Sequence, residues 1–168
     1  MWVRAATVDD LDALVQLQRE ASLLAFAHVF PPERYPYPSD AIRGRWRGWL
    51  ESAPSDVLVA VERSAIVGVV KVEGTTLRSL FVTPNLWGRG IGRRLHDLAV
   101  SRIESTGSST ATLQVLAEND RARRLYERAG WYPTGRTEPS PFPPNPVLME
   151  YQLALEEDRG ARLSASGP

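Results

Sequence analysis

Two hydrophobic periods alternate along this chain, and the switches between them mark its elements. In residues 8–24, Leu11, Leu14, Val15 and Gln18 fall on one side of a helix. Thr7 and Asp10 precede that run at the spacing of a capping box, so the helix is expected to start there. Helical spacing returns after Ser39, which can cap a second helix. Ile42, Trp46, Trp49 and Leu50 take one side, with Arg43, Arg45 and Arg47 around the others. Between these helices, residues 25–40 contain Pro31, Pro32, Pro36 and Pro38, which remove backbone donors and exclude regular structure.

The remaining pattern is mostly of strand type. Trp2–Ala6 is a short first strand. Asp56–Arg63 and Ile66–Glu73 are β-branched runs joined at Ser64-Ala65, which reads as a hairpin, and Thr75–Val82 follows. Helical period resumes with Ile91, Leu95, Leu98 and Ala99. A fifth strand is expected over Ser108–Leu116, then a helix from Asn119 or Asp120 to Ala129. Gly130 is placed to end it in a left-handed conformation. A sixth strand starts at Trp131, Thr137–Pro146 reads as a Pro-rich loop, and Val147–Leu155 is the last strand. A helical crossover joins strands four and five, so they are expected to run parallel. The fold class is thus α/β (α+β), a mixed and mostly antiparallel sheet of about seven strands with flanking helices. Residues 156–168 have few apolar side chains and are expected to be a disordered tail behind a domain of residues 1–155.

Composition narrows the function. A chain of 168 residues is one domain on size. Its formal net charge is +0, so no global field favours nucleic acid or an anionic membrane, and neither is an expected partner. The absence of Cys excludes disulfides, a thiolate nucleophile and Cys-based metal sites. His28 and His96 are far apart in sequence, and no metal is expected; His96 reads as a surface residue. The N-terminus lacks the apolar core of a signal peptide, and no apolar run approaches membrane-span length. The expected compartment is the cytosol. Lys71 is the only Lys beside many Arg, a compositional bias without functional meaning.

The chemistry concentrates in residues 77–100, LRSLFVTPNLWGRGIGRRLHDLAV. This reads as strand, short loop and helix, with Gly88, Gly90 and Gly92 at the helix N-terminus. The first amides of a helix lack intrahelical partners, and the macrodipole makes that end partly positive. Glycines let the backbone approach an anion, while Arg89, Arg93 and Arg94 add charge, so a phosphate-bearing ligand is expected. The dinucleotide fingerprint fails, because Arg93 occupies its third glycine position and no acidic residue follows about 20 residues later. No Gly-Lys-Ser/Thr occurs, so a P-loop is excluded as well.

A second stretch decides between cradles. Asn119-Asp120-Arg121-Ala122-Arg123-Arg124-Leu125-Tyr126-Glu127-Arg128-Ala129-Gly130-Trp131 reads N-x-x-A-x-x-x-Y-E-x-x-G-W, and Val82–Gly92 reads V-x-P-x-x-x-G-x-G-x-G. Together these resemble the two cofactor motifs of the GCN5-related N-acetyltransferase (GNAT) family, over about residues 2–155. The resemblance implies that strands four and five are parallel and splayed, with the pantetheine arm of acetyl-CoA between them. It implies backbone contacts from Leu80, Phe81 and Val82 to the pantetheine and acetyl group. The pyrophosphate is expected on Gly88, Arg89, Gly90, Ile91, Gly92 and Arg93, with Trp87 packed beside the cofactor. Asn119 matches the position that bonds the pantetheine arm, and Tyr126 the position that protonates the departing thiolate.

The general base stays open. The strand positions where many relatives carry Glu are Thr76 and Gln114 here, so Glu73, Glu118 and His28 are the candidates. The Pro-rich loop and second helix offer His28, Phe30, Tyr35 and Trp46 as acceptor contacts. The implied activity is direct acetyl transfer from acetyl-CoA to a primary amine, with a small molecule as first acceptor. A protein N-terminus or lysine is the alternative, and a non-catalytic acyl-CoA sensor is another. A homodimer is compatible with the family.

Overall fold

The computed structural model describes residues 1–155, so the expected disordered tail lies outside the described residues. Seven strands form one sheet in the order β1-β2-β3-β4-β5-β7-β6. They are β1 (Trp2–Ala5), β2 (Val57–Glu62), β3 (Ala65–Glu73), β4 (Thr76–Val82), β5 (Thr110–Leu116), β6 (Tyr132–Pro139) and β7 (Val147–Ala154). Only β4 and β5 pair parallel; the other neighbours are antiparallel. The β2–β3 hairpin turns at Arg63 and Ser64, whose φ values of 49° and 67° match the two left-handed positions of a type I′ turn.

Helices cover both faces. α1 (Leu11–Ala25) and α2 (Ser39–Ser52) bury Leu14, Leu17, Ile42, Trp46 and Leu50 against Val57, Val59 and Val69. α3 (Ile91–Glu104) and α4 (Asp120–Arg128) bury Ile91, Leu95, Ala99 and Tyr126 against Val70, Leu77, Leu113 and Tyr151. α3 lies close against the sheet at Gly68, where a Cβ would lie 2.8 Å from Leu95 Cδ1. Only a residue without a side chain lets the helix sit that near.

Three expectations change. The entry to the first helix is a 3-10 turn at Val8–Asp10, and α1 starts at Leu11. Asp10 accepts the Thr7 N–H at 2.7 Å and clamps Arg4 through contacts of 2.6 and 2.7 Å, which ties β1 to α1. Second, β6 continues through Thr137–Pro139, which the prolines had marked as loop. It is the outermost strand, so Pro133 and Pro139 cost it no essential ladder bond. Third, His96 is buried, at 3% exposure, and not on the surface. Its Nε2 accepts from Trp131 Nε1 at 2.8 Å, and its Nδ1 lies 2.8 Å from Asp97 Oδ1. The pair of contacts describes a neutral imidazole that donates from Nδ1.

Burial holds the His96 imidazole below its ordinary pKa, against the opposing pull of Asp97. The unfolded chain therefore takes up this proton more readily than the folded one. The stabilisation is fully present above the unfolded value of about 6.5 and is lost as pH falls through the folded value. Melting temperatures measured from pH 7.5 down to 5.5 (about one unit either side of that value) should fall more steeply for the native chain than for His96→Gln. Equal slopes would show that His96 is not the titrating group.

Candidate active site

The parting of β4 from β5 makes the site. Their ladder holds only the pairs Thr76↔Thr112 and Leu77↔Leu113. The Thr76 and Thr112 hydroxyls, 3.0 Å apart, close it at that point. Beyond it β4 runs on to Val82 and β5 to Leu116 with no strand between them. Val69 faces Phe81 across β3–β4, and Thr83 N–H donates to Val67 C=O at 2.9 Å. Because antiparallel residues bond their neighbour alternately, Phe81 spends its peptide groups on β3 while Leu80 and Val82 turn theirs to the gap. This corrects the expectation for Phe81, whose backbone faces away from the cleft although its side chain lines it.

The gap opens into a cavity of about 1040 Å³. Leu80, Ser79, Gln114, Asn119 and Tyr126 line it on the strand side. Phe30, Tyr35, Tyr37, Arg45 and Trp49 wall it from the loop and α2, and Ser140 and Phe142 from the β6–β7 connection.

α4 aims Tyr126. Asn119 Oδ1 caps the helix by accepting the Ala122 N–H at 3.2 Å. Its amide nitrogen is thereby left for the cavity that Asn119 lines. At the other end, Gly130 at φ 91° permits a Schellman closure, with Trp131 N–H on Tyr126 C=O at 3.1 Å and Gly130 N–H on Glu127 C=O at 3.1 Å. Tyr151 locks the outer side, accepting from Arg123 Nε at 3.1 Å and donating to Glu127 Oε1 at 2.8 Å. Tyr126 is 6% exposed, and its hydroxyl makes no hydrogen bond among the described residues. Burial alone drives its pKa upward, so the phenol stays protonated at neutral pH.

The glycine loop lies outside the cavity wall, past the end of β4. Gly88 and Gly90 have φ of 79° and 83°, the left-handed region that other residues occupy at a cost. The first helical bond is Arg94 N–H to Gly90 C=O at 3.0 Å, which leaves the Ile91, Gly92 and Arg93 amides unpaired. These donors fit a pyrophosphate. The Arg93 Nε donates to Asp97 at 2.8 and 3.0 Å. Trp87 Nε1 donates to Val82 C=O at 2.7 Å, and its ring carries the Arg121 guanidinium at 4.1 Å. It braces the loop against β4 and α4.

Other expected residues lie apart from the cavity. Trp46 is fully buried between α1 and α2, donating to Gln18 Oε1 at 2.7 Å; Trp49, a helical turn on, lines the cavity instead. Glu73 is exposed at the end of β3 and pairs with Arg78 at 3.2 Å. Glu118 and His28 are exposed and form no part of the wall. The one carboxylate in the wall among the described residues is Glu138 of β6. It was hidden in a segment whose prolines read as loop.

The described residues contain no helix long and apolar enough to cross a membrane. Comparison with known proteins matches residues 13–131 to the Acetyltransferase (GNAT) family. Over 133 residues, 73% of its length, the chain is 31% identical to a mycothiol acetyltransferase of Propionibacterium freudenreichii subsp. shermanii, and it covers 40% of that protein. It is 34% identical over 92 residues to the peptidyl-lysine N-acetyltransferase YjaB of Escherichia coli (strain K12), covering 55% of this chain and 58% of YjaB. The chain thus spans less than two thirds of the length of either relative. Among solved structures, a GCN5-related N-acetyltransferase from Rhodopseudomonas palustris superposes with a TM-score of 0.75 at 16% identity, over 92% of this chain and 95% of that one. YncA of Salmonella typhimurium, solved with acetyl-CoA, gives 0.69 at 20% identity over 100% and 97%. A family match over residues 13–131 and parted parallel strands of the same fold place this chain in the GNAT acetyltransferase family.

Proposed function

We propose that the chain transfers an acetyl group from acetyl-CoA directly to the primary amine of a small molecule. One observation carries the reading: a protonated, unpartnered Tyr126 and the free edge of β4 face the same cavity. The unpaired Ile91, Gly92 and Arg93 amides would hold the pyrophosphate, and the Leu80 and Val82 backbone and Asn119 the pantetheine arm. Acetyl-CoA supplies the thioester. The Leu80 N–H supports the carbonyl oxygen as it gains charge. The amine nitrogen bonds to the thioester carbon as the C–S bond breaks. Tyr126 gives its proton to the thiolate, and the proton leaving the amine goes to Glu138. No acyl-enzyme is needed, and the chain has no Cys to form one.

The cavity walls support a small acceptor, since the aromatic loop before α2 and the β6–β7 connection both narrow it. A lysine or protein N-terminus is the second reading, favoured by the likeness to YjaB. Free-thiol release from acetyl-CoA against a panel of small amines and peptides separates the two. Release only with peptides would overturn the small-molecule reading.

Tyr126→Phe should lower kcat about ten-fold or more while CoA affinity, measured by thermal shift, is retained. Unchanged turnover would remove Tyr126 from the chemistry. Glu138→Gln should lower kcat/KM for the amine at neutral pH about ten-fold or more. Its deficit should shrink as pH rises and more amine arrives already neutral. A deficit independent of pH would assign Glu138 to binding alone.

A further inference from the structure

The acceptor half of the cavity contains a positive charge with nothing to balance it. Arg45 stands on α2 one turn before Trp49, at the margin of the stripe formed by Ile42, Trp46 and Leu50. That position brings its guanidinium over the Trp49 ring, at 5.3 Å, and into the cavity wall. Its Nε is shielded from solvent and has no hydrogen-bond partner. Its only polar contact among the described residues is Nη2 to Gln18 Oε1 at 3.5 Å, the outer limit of a hydrogen bond, and that oxygen already accepts from Trp46. No carboxylate of the described residues lies within 4.0 Å of it.

A second poorly matched donor lies beside the first. Tyr37 lines the same cavity, and its hydroxyl is shielded from solvent and makes no hydrogen bond of good geometry, with the Ser22 hydroxyl as its hydrogen-bonding neighbour. The charged groups facing the pair are themselves positive: Arg78 from β4 acts on Arg45, and Arg19 from α1 on Tyr37. Two residues of the cavity wall, one of them cationic, thus each carry a shielded donor without an acceptor among the described residues. Buried donors left unpaired are costly, and a buried charge more so.

We propose that the acceptor is a primary amine bearing a free carboxylate, an amino acid, whose carboxylate is held by Arg45 and Tyr37. This rests on the acetyl-transfer reading above and names its substrate class. A planar carboxylate matches the fork of a guanidinium and accepts the phenol proton with a remaining lone pair. Phe26, Phe30, Tyr35 and Phe142 supply apolar wall for the rest of the molecule. The titration of the two groups agrees: burial draws the Arg45 pKa down, and burial pushes Tyr37 up to about 12 against the opposing pull of Arg45, Ser22 and Arg19, so both sit desolvated in the wall.

The test compares amino acids with their carboxamides and with aminoalkylphosphonates, following thiol release from acetyl-CoA. For the native chain, kcat/KM should favour free acid over amide by about ten-fold or more, the range of a charge-assisted hydrogen bond. In Arg45→Met that ratio should collapse towards one, with partial recovery in Arg45→Lys, and Tyr37→Phe should reduce it by a smaller factor. CoA-induced thermal shift checks that each variant is folded. Amides used as well as acids, or a ratio preserved in Arg45→Met, would overturn the proposal. Phosphonates used better than carboxylates would overturn the choice of carboxylate. Thiol release from no amine at all would be the failure of acetyl transfer itself. The carboxylate site would then be read by thermal shift with N-acetyl amino acids, where stabilisation of the native chain and not of Arg45→Met supports it and no stabilisation of either overturns it.

Discussion

Parallel strands cohere only where their peptide groups face one another, and β4 and β5 face one another for two residue pairs. Everything functional in this molecule hangs on where that pairing stops. Up to the Leu77–Leu113 pair the sheet is continuous, with β3 on one side of β4 and β7 on the far side of β5. Above it, each strand keeps its outer partner and loses its inner one. The Leu80 peptide groups and the Val82 N–H are left as groups that only a ligand or solvent can satisfy, a condition a buried sheet does not otherwise tolerate, while Trp87 Nε1 donates to the Val82 C=O. An exposed strand edge is an aggregation hazard in most folds. Here it is sheltered inside a cavity, where an extended thioester arm of its own amide chemistry can take the missing place.

The rest of the core serves to hold that opening at a constant width. β3 presents Gly68 to α3, so the helix lies close enough for Leu95 and Ile91 to pack on the sheet under the glycine loop. Trp87 spans from Val82 to Arg121 and ties the loop to both β4 and α4. α4 is only nine residues long and depends on its closures more than on its own helical propensity. The Asn119 cap, the Gly130 turn and the Arg123–Tyr151–Glu127 chain supply them. A shift of a few tenths of an ångström in any of these would move the Tyr126 hydroxyl relative to β4. The buried His96–Trp131 contact stands directly behind that tyrosine, with ring centroids about 6 Å apart.

Charge is distributed unevenly across this opening. At the start of α3 the unpaired groups are backbone amides, and the Arg93 side chain is turned to Asp97. The cavity wall holds the side-chain cations Arg34, Arg45 and Arg78 against one carboxylate, Glu138. A net-neutral chain can therefore present a locally positive cavity, which overall charge does not reveal.

Local pattern determined much of this protein. The two periods located α1, α2, α3, β2 to β5 and β7, while the 3-10 turns and the end of β6 escaped them. Gly130 marked a turn that needs a left-handed backbone, and the order strand, helix, strand required β4 and β5 to be parallel. Those features depend on neighbours a few residues apart, so they are written in the spacing. What the tertiary structure alone decided depends on residues distant in sequence that meet in space. The helical spacing put Trp46 and Trp49 on one face alike, and only the packing of α1 chose Trp46 for the core and Trp49 for the cavity. His96 looked like surface because its partner, Trp131, lies 35 residues on. Glu138 looked like loop because Pro139 is permitted on an edge strand, and being an edge is a property of the whole sheet. The missing partner of Arg45 was equally invisible, since a charge is unbalanced only with respect to everything folded around it.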